Sequence, residues 1–285
     1  MKQIILILVI VFVTPIWAQS EADYEVKLTD DLTGAVITKY IGRATQVIIP
    51  STIQDFPVKE IGPGSFSHMD ITSVVVPNSV IIIRNSAFYN CRNLINVTLS
   101  NTLLSIEYEV FYNCEKLVSI YLPNTLKKLS SGVFANCESL ENISLPDSLE
   151  SIDDDSFYGR GVFQNTSLTS IKIPSKLNRI NNKMFADCKK LQSVELPEGI
   201  TIISGSAFAG CVSLASISLP STIKLIYGGA FANCLSLVTV NVPSSVTSIG
   251  LIYEETFEGS NKLSLASQAA LRRVANSDEI NRAYK

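Results

Sequence analysis

The sequence predicts a repeat solenoid, a stack of similar short coils that share one continuous core. One observation is a phenylalanine followed three positions later by a cysteine, which recurs every 23 residues within two runs of three. A second is a set of apolar positions that keeps the same spacing around each phenylalanine. A period of about 20 to 30 residues is typical of stacked coils, none of which buries its apolar face alone. Function is therefore expected on the surface of the stack.

Aligned on the phenylalanine, the chain contains nine coils with the pattern Lxx(I/V)x(L/I/V)PxxLxxIxxx(A/V)FxNCxx. The interval widens to 29 residues between Phe134 and Phe163 and to 26 residues between Phe231 and Phe257. Extra residues in a solenoid form loops on one face, so both coils are predicted to carry a loop. The nine phenylalanines are Phe66, Phe88, Phe111, Phe134, Phe163, Phe185, Phe208, Phe231 and Phe257.

The first part of each coil, LxxIxL, is predicted to be a short strand that pairs in parallel with the strands of neighbouring coils. This segment resembles the strand of leucine-rich repeats. In the coil that begins at Leu117, the apolar positions 1, 4 and 6 face the core. Positions 3 and 5 then face outward, because side chains alternate along a strand. Pro123 ends this strand because proline has no N–H to donate to a sheet.

The FxNC segment is predicted to be a short helical turn on the opposite side of each coil. The position two residues after the phenylalanine is Asn, Asp or Gly in eight coils. These residues tolerate the left-handed backbone that ends a helical turn. His68, the only histidine, occupies this position in the first coil and is interpreted as a turn residue.

The six cysteines are predicted to be buried free thiols, although six cysteines in a secreted protein commonly form disulfides. Each cysteine has the same position in its coil, so the side chains point in parallel, whereas a disulfide needs converging Cβ atoms. Two other coils place Met69 and Thr166 at this position, and neither residue forms a disulfide or a usual zinc site. The cysteines are Cys91, Cys114, Cys137, Cys188, Cys211 and Cys234.

The two ends of the chain differ from the repeats. Lys2, the apolar run from Ile4 to Val13 and the small residue Ala18 have the layout of a signal peptide. The apolar run is shorter than the about 20 residues that span a bilayer as a helix, so no transmembrane span is expected in the mature chain. We predict a signal peptide over 1–18, an N-terminal β cap over 19–45, about nine coils over 46–261 and a C-terminal capping helix over 262–285.

The charge pattern argues against nucleic acid as a partner, and the acidic cluster in the longer insertion does not fit a dedicated calcium site. The formal net charge is −3, and no basic stripe is present that would bind nucleic acid. Asp153, Asp154 and Asp155 are adjacent in the longer insertion, but they lack the glycine and the distant glutamate of a dedicated calcium loop. We therefore expect a solvated loop or a contact site there, and no metal or cofactor.

An enzyme is not expected from these residues. Catalysis needs a nucleophile beside a base, or paired acids in a cleft. His68 lies in a predicted turn, and the cysteines lie in the predicted core. A carboxylate pair such as Asp154 with Glu195 stays open from the sequence, but the surface of a solenoid offers no enclosing pocket.

Several segments resemble the BspA-like leucine-rich repeats of bacterial surface proteins. They are SLENISLPDS at 139–148, SAFAGCVSL at 206–214 and the opening DLTGAVITKYIG at 31–42. The resemblance covers the chain from about Tyr24 to Asn261 and implies a leucine-rich-repeat solenoid of the α/β type, with a stacked parallel sheet and capped ends. It also implies a secreted or surface location and adhesion to host matrix proteins or to other microbes. It implies no catalytic residues.

A binding site for extracellular proteins or for other cell surfaces is expected on the predicted strands. Interface hot spots favour Trp, Tyr and Arg, and Tyr121 is the only such residue at the outward strand positions. The alternative is a rigid spacer or a surface-layer assembly unit without a specific ligand. The candidate protein-binding residues are Tyr121, Lys172 and Glu195 on strands, with Asp153, Asp154, Tyr158 and Arg160 in the longer insertion.

Overall fold

The chain forms a parallel β-solenoid of about nine coils with one helix near its C-terminus, which confirms the predicted fold class. The structure is a computed structural model, and it describes residues 19–153, 159–250 and 256–283. The predicted signal peptide, residues 1–18, lies outside the described residues.

The N-terminal end of the stack is a β-hairpin. A 3₁₀ turn, Glu21–Asp23, precedes β1, Tyr24–Leu28, which pairs in antiparallel orientation with β2, Ala35–Tyr40. These two strands form the N-terminal β cap that the sequence predicts. The next three strands are β3, Gln46–Ile48; β4, Thr52–Ile53; and β5, Phe56–Ile61. Because β2 also pairs in parallel with β5, the hairpin continues directly into the stack.

Beyond these, the regular coils contain one strand of three residues and one strand of two residues. The three-residue strands begin at position 3 of LxxIxL, as predicted. They are β6, Ser73–Val75; β8, Asn96–Thr98; β10, Ser119–Tyr121; β12, Asn142–Ser144; β14, Ser170–Lys172; β16, Ser193–Glu195; β18, Ser216–Ser218; and β20, Thr239–Asn241. The two-residue strands are β7, Ile82–Ile83; β9, Ser105–Ile106; β11, Lys128–Leu129; β13, Ser151–Ile152; β15, Arg179–Ile180; β17, Ile202–Ile203; β19, Leu225–Ile226; and β21, Ser248–Ile249.

The strands form two sets of parallel ladders on different sides of the coil. The three-residue strands pair as β3-β6-β8, β10-β12, β14-β16 and β18-β20. The two-residue strands extend the ladder that begins with β1 and β2, and they form a second ladder over β15-β17-β19-β21. The two-residue ladder is not predicted from the sequence, because two residues are too few to show the alternation that indicates a strand.

The FxNC segment forms a single turn, as expected, but the turn is not α-helical. The N–H of Cys91 donates to the carbonyl of Phe88, three residues earlier, at 3.2 Å. The N–H of Phe88 itself donates to the carbonyl of Val110 in the next coil at 2.9 Å. In an α-helix, this N–H would donate to the carbonyl four residues earlier in its own coil. Because it donates to the next coil instead, the turn cannot continue as an α-helix. Asn90 and Asn113 have φ of 58° and 61°, the left-handed backbone predicted at this position.

A column of stacked aromatic rings runs through the core. The nine phenylalanines of the coils stack one on the next with ring centroids 5.0 to 5.7 Å apart. Interplanar angles are 23° or less, so the rings are nearly parallel. Tyr40 of the N-terminal hairpin extends the column because its ring stacks on Phe66 at 5.2 Å. Each ring is therefore held by the coil before it and the coil after it.

All six cysteines are free and buried. Each Sγ donates a hydrogen bond to the carbonyl of the phenylalanine in the preceding coil, at 3.0 to 3.4 Å. Ser260 takes this position in the last coil, and its Oγ donates to Phe231 O at 2.8 Å. The thiol therefore fills the core and also satisfies a buried carbonyl. Burial raises the pKa of Cys91 and of Cys234 to about 12.

The C-terminal end of the stack is covered by helix α1, Leu265–Ala283. Leu271 and Val274 of this helix are buried in the same core as the coils. Ser267 Oγ accepts a hydrogen bond from the N–H of Val240 at 3.1 Å. The helix therefore provides a hydrogen-bond acceptor for the outer edge of β20. Terminal units that cover an apolar end are required in stacked repeats.

We expect Phe134→Ala to lower the free energy of unfolding by about 3 to 5 kcal/mol, because it removes a fully buried ring and leaves a cavity. The variant loses two stacked contacts, to Phe111 and to Phe163. Phe134→Leu keeps most of the buried volume and should cost less. Urea unfolding followed by circular dichroism measures both variants. Equal stability of Phe134→Ala and the wild type would show that the column does not stabilise the stack.

Stability should fall at alkaline pH through the buried thiols. Burial raises the pKa of Cys188 from about 9 to about 11. The folded state therefore favours the protonated thiol. The contribution of this preference to the free energy of unfolding is complete below pH 9 and is lost as the pH rises through the folded-state pKa. Raising the pH from 8 to 10 should lower the free energy of unfolding of the wild type by about 1 kcal/mol more than that of Cys188→Ser, because the variant lacks this titrating group. Urea unfolding of both proteins at the two pH values measures the difference, and identical pH dependence would contradict it.

Candidate binding surface

The strand face is the set of outward side chains on the three-residue strands β6 to β20. It contains sixteen side chains, two from each strand, and all are exposed except Ser73, which is half-buried. Twelve are Ser, Thr or Asn. These twelve are Ser73, Asn96, Thr98, Ser119, Asn142, Ser144, Ser170, Ser193, Ser216, Ser218, Thr239 and Asn241, and the other four are Val75, Tyr121, Lys172 and Glu195.

The fold does not use the polar groups of the strand face. Elsewhere, Ser, Thr and Asn side chains bond one coil to the next. Thr102 Oγ1 donates to Asn78 O at 2.7 Å, and Asn113 Nδ2 donates to Asn90 Oδ1 at 2.6 Å. Within the described residues, none of the twelve hydroxyl or amide side chains of the strand face forms a hydrogen bond. Their donors and acceptors are therefore available to a ligand.

Tyr121 is the most exposed large hydrophobic residue of the strand face, with 66% of its surface open to solvent. It stands between two shallow grooves and lines both. One groove, of about 350 Å³, is also lined by Val75 and Thr98. The other, of about 440 Å³, is also lined by Asn142 and Lys172. The ring is therefore open on both sides along the stack.

Lys172 and Glu195 lie side by side on adjacent coils. They are partners in the register of β14 and β16, and Lys172 Nζ lies 3.2 Å from Glu195 Oε1. Both side chains are about 70% exposed, so the ion pair contributes little to stability. They line a larger groove of about 900 Å³ that reaches Glu198 and Asn241. Three of the predicted site residues therefore lie along one face: Tyr121, Lys172 and Glu195.

The insertion residues do not join this face. Asp153 follows β13, and its Oδ2 lies 2.8 Å from Nζ of Lys128 on β11, both strands of the two-residue ladder. Arg160 contacts Glu109 on the turn side. The structure places Asp153 and Arg160 away from the strand face, because the insertion leaves from the other ladder. Their part in protein binding stays a prediction. Asp154 and Tyr158 lie outside the described residues.

Within the described ranges, we find neither a cluster of metal-ligating side chains nor an accessible thiol. In these ranges, no group of three His, Cys, Asp or Glu side chains is placed to hold a metal ion. The thiols are buried, and burial raises the pKa of Cys188 to about 11, which favours its protonated form at neutral pH. The described part of the chain also contains no helix with the length and hydropathy of a membrane span.

The repeat pattern matches a known family over most of the chain. The profile of the BspA type leucine rich repeat region matches in six copies, over residues 59–161 and 159–276. The chain belongs to the BspA-type leucine-rich repeat family. Proteins of this family are typically found at the cell surface and are generally not enzymes. No curated protein matches the chain.

Solved leucine-rich repeat structures are similar to this BspA-type chain. A T. pallidum leucine-rich repeat protein is 29% identical, with a TM-score of 0.64 over 69% of this chain and 90% of its own. A leucine-rich cell surface protein from Faecalibacterium prausnitzii A2-165 is 25% identical, covers 89% of this chain and 97% of its own, and has a TM-score of 0.43. The pneumococcal vaccine antigen PcpA is 19% identical, covers 84% of this chain and 78% of its own, and has a TM-score of 0.49.

One ion pair fastens the insertion to the BspA-type coils. Arg160 Nη1 donates to Oε1 of Glu109, which is 51 residues away in sequence, and its guanidinium lies 4.6 Å from the ring centroid of Tyr112. The Glu109 side chain is 8% exposed. Gly132, with φ of 69°, lies between them in the intervening coil, and a Cβ there would lie 3.0 Å from Glu109 Cγ. The glycine therefore leaves room for Arg160 to reach across a coil.

Glu109 is not singled out by the sequence. It has φ of 54°, and its position, two residues before the phenylalanine, is Gly or Ser in six of the nine coils. Lys183 and Glu255 occupy the same position in two other coils, so a long side chain there does not by itself indicate a partner outside the repeat. For Glu109, the insertion supplies such a partner in Arg160.

Arg160→Ala should lower the free energy of unfolding by about 2 kcal/mol, because Glu109 is left buried without its charged donor. Lys128→Ala is the matched control: it removes a more exposed ion pair, to Asp153, and should cost less than about 1 kcal/mol. In a Glu109→Ala background, Arg160→Ala should have little further effect. Urea unfolding of the variants measures the coupling, and additive effects of the two substitutions would contradict it.

Proposed function

We propose that the protein is a secreted or cell-surface adhesin that binds extracellular matrix or plasma proteins, or the surface of other cells, through its strand face. The signal-peptide layout of residues 1–18 and membership of a typically surface-located family support the location. The strand face supports the binding role.

The observation that carries this proposal is the row of polar side chains that the fold leaves unused. A solvated structural surface commonly bonds its Ser, Thr and Asn side chains to nearby backbone, as Thr102 and Thr125 do in the loops between the two kinds of strand. On the strand face, twelve such side chains stay free, in register from coil to coil. A ligand that lies along the stack meets the same kind of group in successive coils.

Tyr121 is the expected centre of the contact. Tyrosine is enriched among the residues that dominate binding energy. Its ring is 66% exposed and stands between two grooves, so a ligand group in either groove contacts it. Lys172 and Glu195 form an exposed pair that costs little to open, so each is available to an opposite charge on a partner.

A rigid spacer is the second candidate function, and the core favours it. One apolar cluster extends from Tyr24 to Val274, and the coils are bonded to one another throughout. Such a stack resists bending and holds its two ends apart. A spacer, however, needs no free polar groups on one face and no exposed tyrosine between grooves.

The test is surface plasmon resonance of the purified protein on a panel of immobilised matrix and plasma proteins. The double variant Tyr121→Ala/Lys172→Ala should weaken any saturable binding about tenfold or more, because it removes the expected hot spot. The control is Tyr227→Ala/Lys189→Ala, which removes an exposed tyrosine and an exposed lysine away from the strand face. Circular dichroism checks that both variants are folded.

Each outcome decides between the two functions. Saturable binding that falls in the first variant and not in the control supports the adhesin. Binding that both variants retain places the contact elsewhere and removes the strand face from the proposal. A folded protein that binds nothing on the panel favours the spacer, and sedimentation velocity then measures its self-association.

A further inference from the structure

The composition of the strand face differs from that of a protein–protein interface. Such interfaces are enriched in aromatic residues, Met and Arg, and depleted in Ser. Seven of the sixteen side chains are serines, one is aromatic and none is Met or Arg. The face therefore has few groups that gain free energy by burying apolar surface, and many that gain it by forming hydrogen bonds.

The face is also electrically neutral along its length. Its only two charges, on Lys172 and Glu195, lie 3.2 Å apart and neutralise each other. No unpaired cation on the strand face is available to a phosphate, a sulfate or a uronic acid. A ligand that matches the face carries many hydroxyl or amide groups and no net charge.

The single open ring adds a second requirement. Tyr121 stands between grooves of about 350 and 440 Å³ that run along the stack in both directions. A pyranose ring presents C–H groups on its face and hydroxyl groups around its rim. The C–H face packs on an aromatic ring, and the rim hydroxyls reach side chains in the adjacent grooves. Thr98 lies in one of these grooves and Asn142 in the other, so both sides of a sugar on Tyr121 meet hydrogen-bonding groups.

We infer that the strand face binds a neutral glycan chain that lies along the stack, with one sugar ring packed on Tyr121. This inference rests on the proposed binding function and names the chemical class of the ligand. The free hydroxyl and amide side chains in successive coils contact successive sugars, so the periodic face matches a periodic ligand. The glycan is either attached to a glycoprotein or part of a free polysaccharide, because the same groups recognise both.

The test compares glycan-bearing and glycan-free ligands by surface plasmon resonance of the purified protein. The probes are the panel glycoproteins before and after enzymatic deglycosylation, the neutral polysaccharides yeast mannan and dextran, and heparin as an anionic control. We expect binding either to glycoproteins, lost on deglycosylation, or to mannan or dextran. The first result assigns the ligand to protein-linked glycans and the second to free polysaccharide.

Variants tie the binding to the strand face. Tyr121→Ala should weaken it about tenfold or more, whereas Tyr121→Phe, which keeps the ring, should stay close to the wild type. Asn142→Asp replaces a neutral amide by a charge and should weaken it about tenfold. Its control is Asn178→Asp, which adds the same charge away from the strand face and should have no effect.

Other outcomes overturn the inference. Binding that depends on Tyr121 but is equal before and after deglycosylation shows a protein epitope; the glycan inference is then wrong and the proposed function stands. Binding to heparin alone also overturns it, because the ligand is then anionic. No binding by the wild type to any probe counts against both the inference and the proposed function.

Discussion

The stacking of each phenylalanine on the next is the constraint on which this structure depends. Nine rings lie nearly parallel at 5.0 to 5.7 Å, and each forces its coil to return to the same point above the coil before. In six coils the thiol that follows the turn residue strengthens the alignment, because it donates a hydrogen bond to the phenylalanine carbonyl of the preceding coil. Stability in such a stack is a sum of contacts between neighbours, so every coil contributes and none folds alone.

Because the core fixes the alignment of the coils, it also determines the surface. The outward strand positions fall directly beneath one another, so Ser119 lies beside Asn142 and Lys172 beside Glu195. The two sides of the coil then use polar side chains differently. On the turn side, groups such as Asn113 bond coil to coil and stabilise the fold. On the strand face, the Ser, Thr and Asn side chains form no hydrogen bond within the described residues, so that face does not use them to stabilise the fold.

The irregular parts of the chain show how the repeat tolerates exceptions. The insertion before Phe163 leaves the stacking of Phe134 on Phe163 at 5.7 Å, the same distance as between Phe111 and Phe134, which no insertion separates. Arg160 joins the insertion to Glu109 across one coil, and Gly132 makes the space for it. At the two ends, Tyr40 and helix α1 replace the missing neighbour coils. Each exception keeps the phenylalanine column and changes only what surrounds it.

The sequence by itself determined the coil, because its period comes from residues that must be buried. The spacing of Phe and Cys predicted the stack and the free thiols, and the alternation in LxxIxL predicted that Tyr121 faces outward. Only the tertiary structure decided which outward residues meet. The two-residue ladder has too few residues per strand to be visible in the sequence, and that ladder places Asp153 away from Tyr121. Glu109 and Arg160 are 51 residues apart, and their contact depends on how the coils stack, which no local pattern encodes. The composition and the period of the sequence predict which residues are buried. Contacts between surface residues that are distant in sequence arise only when the coils stack.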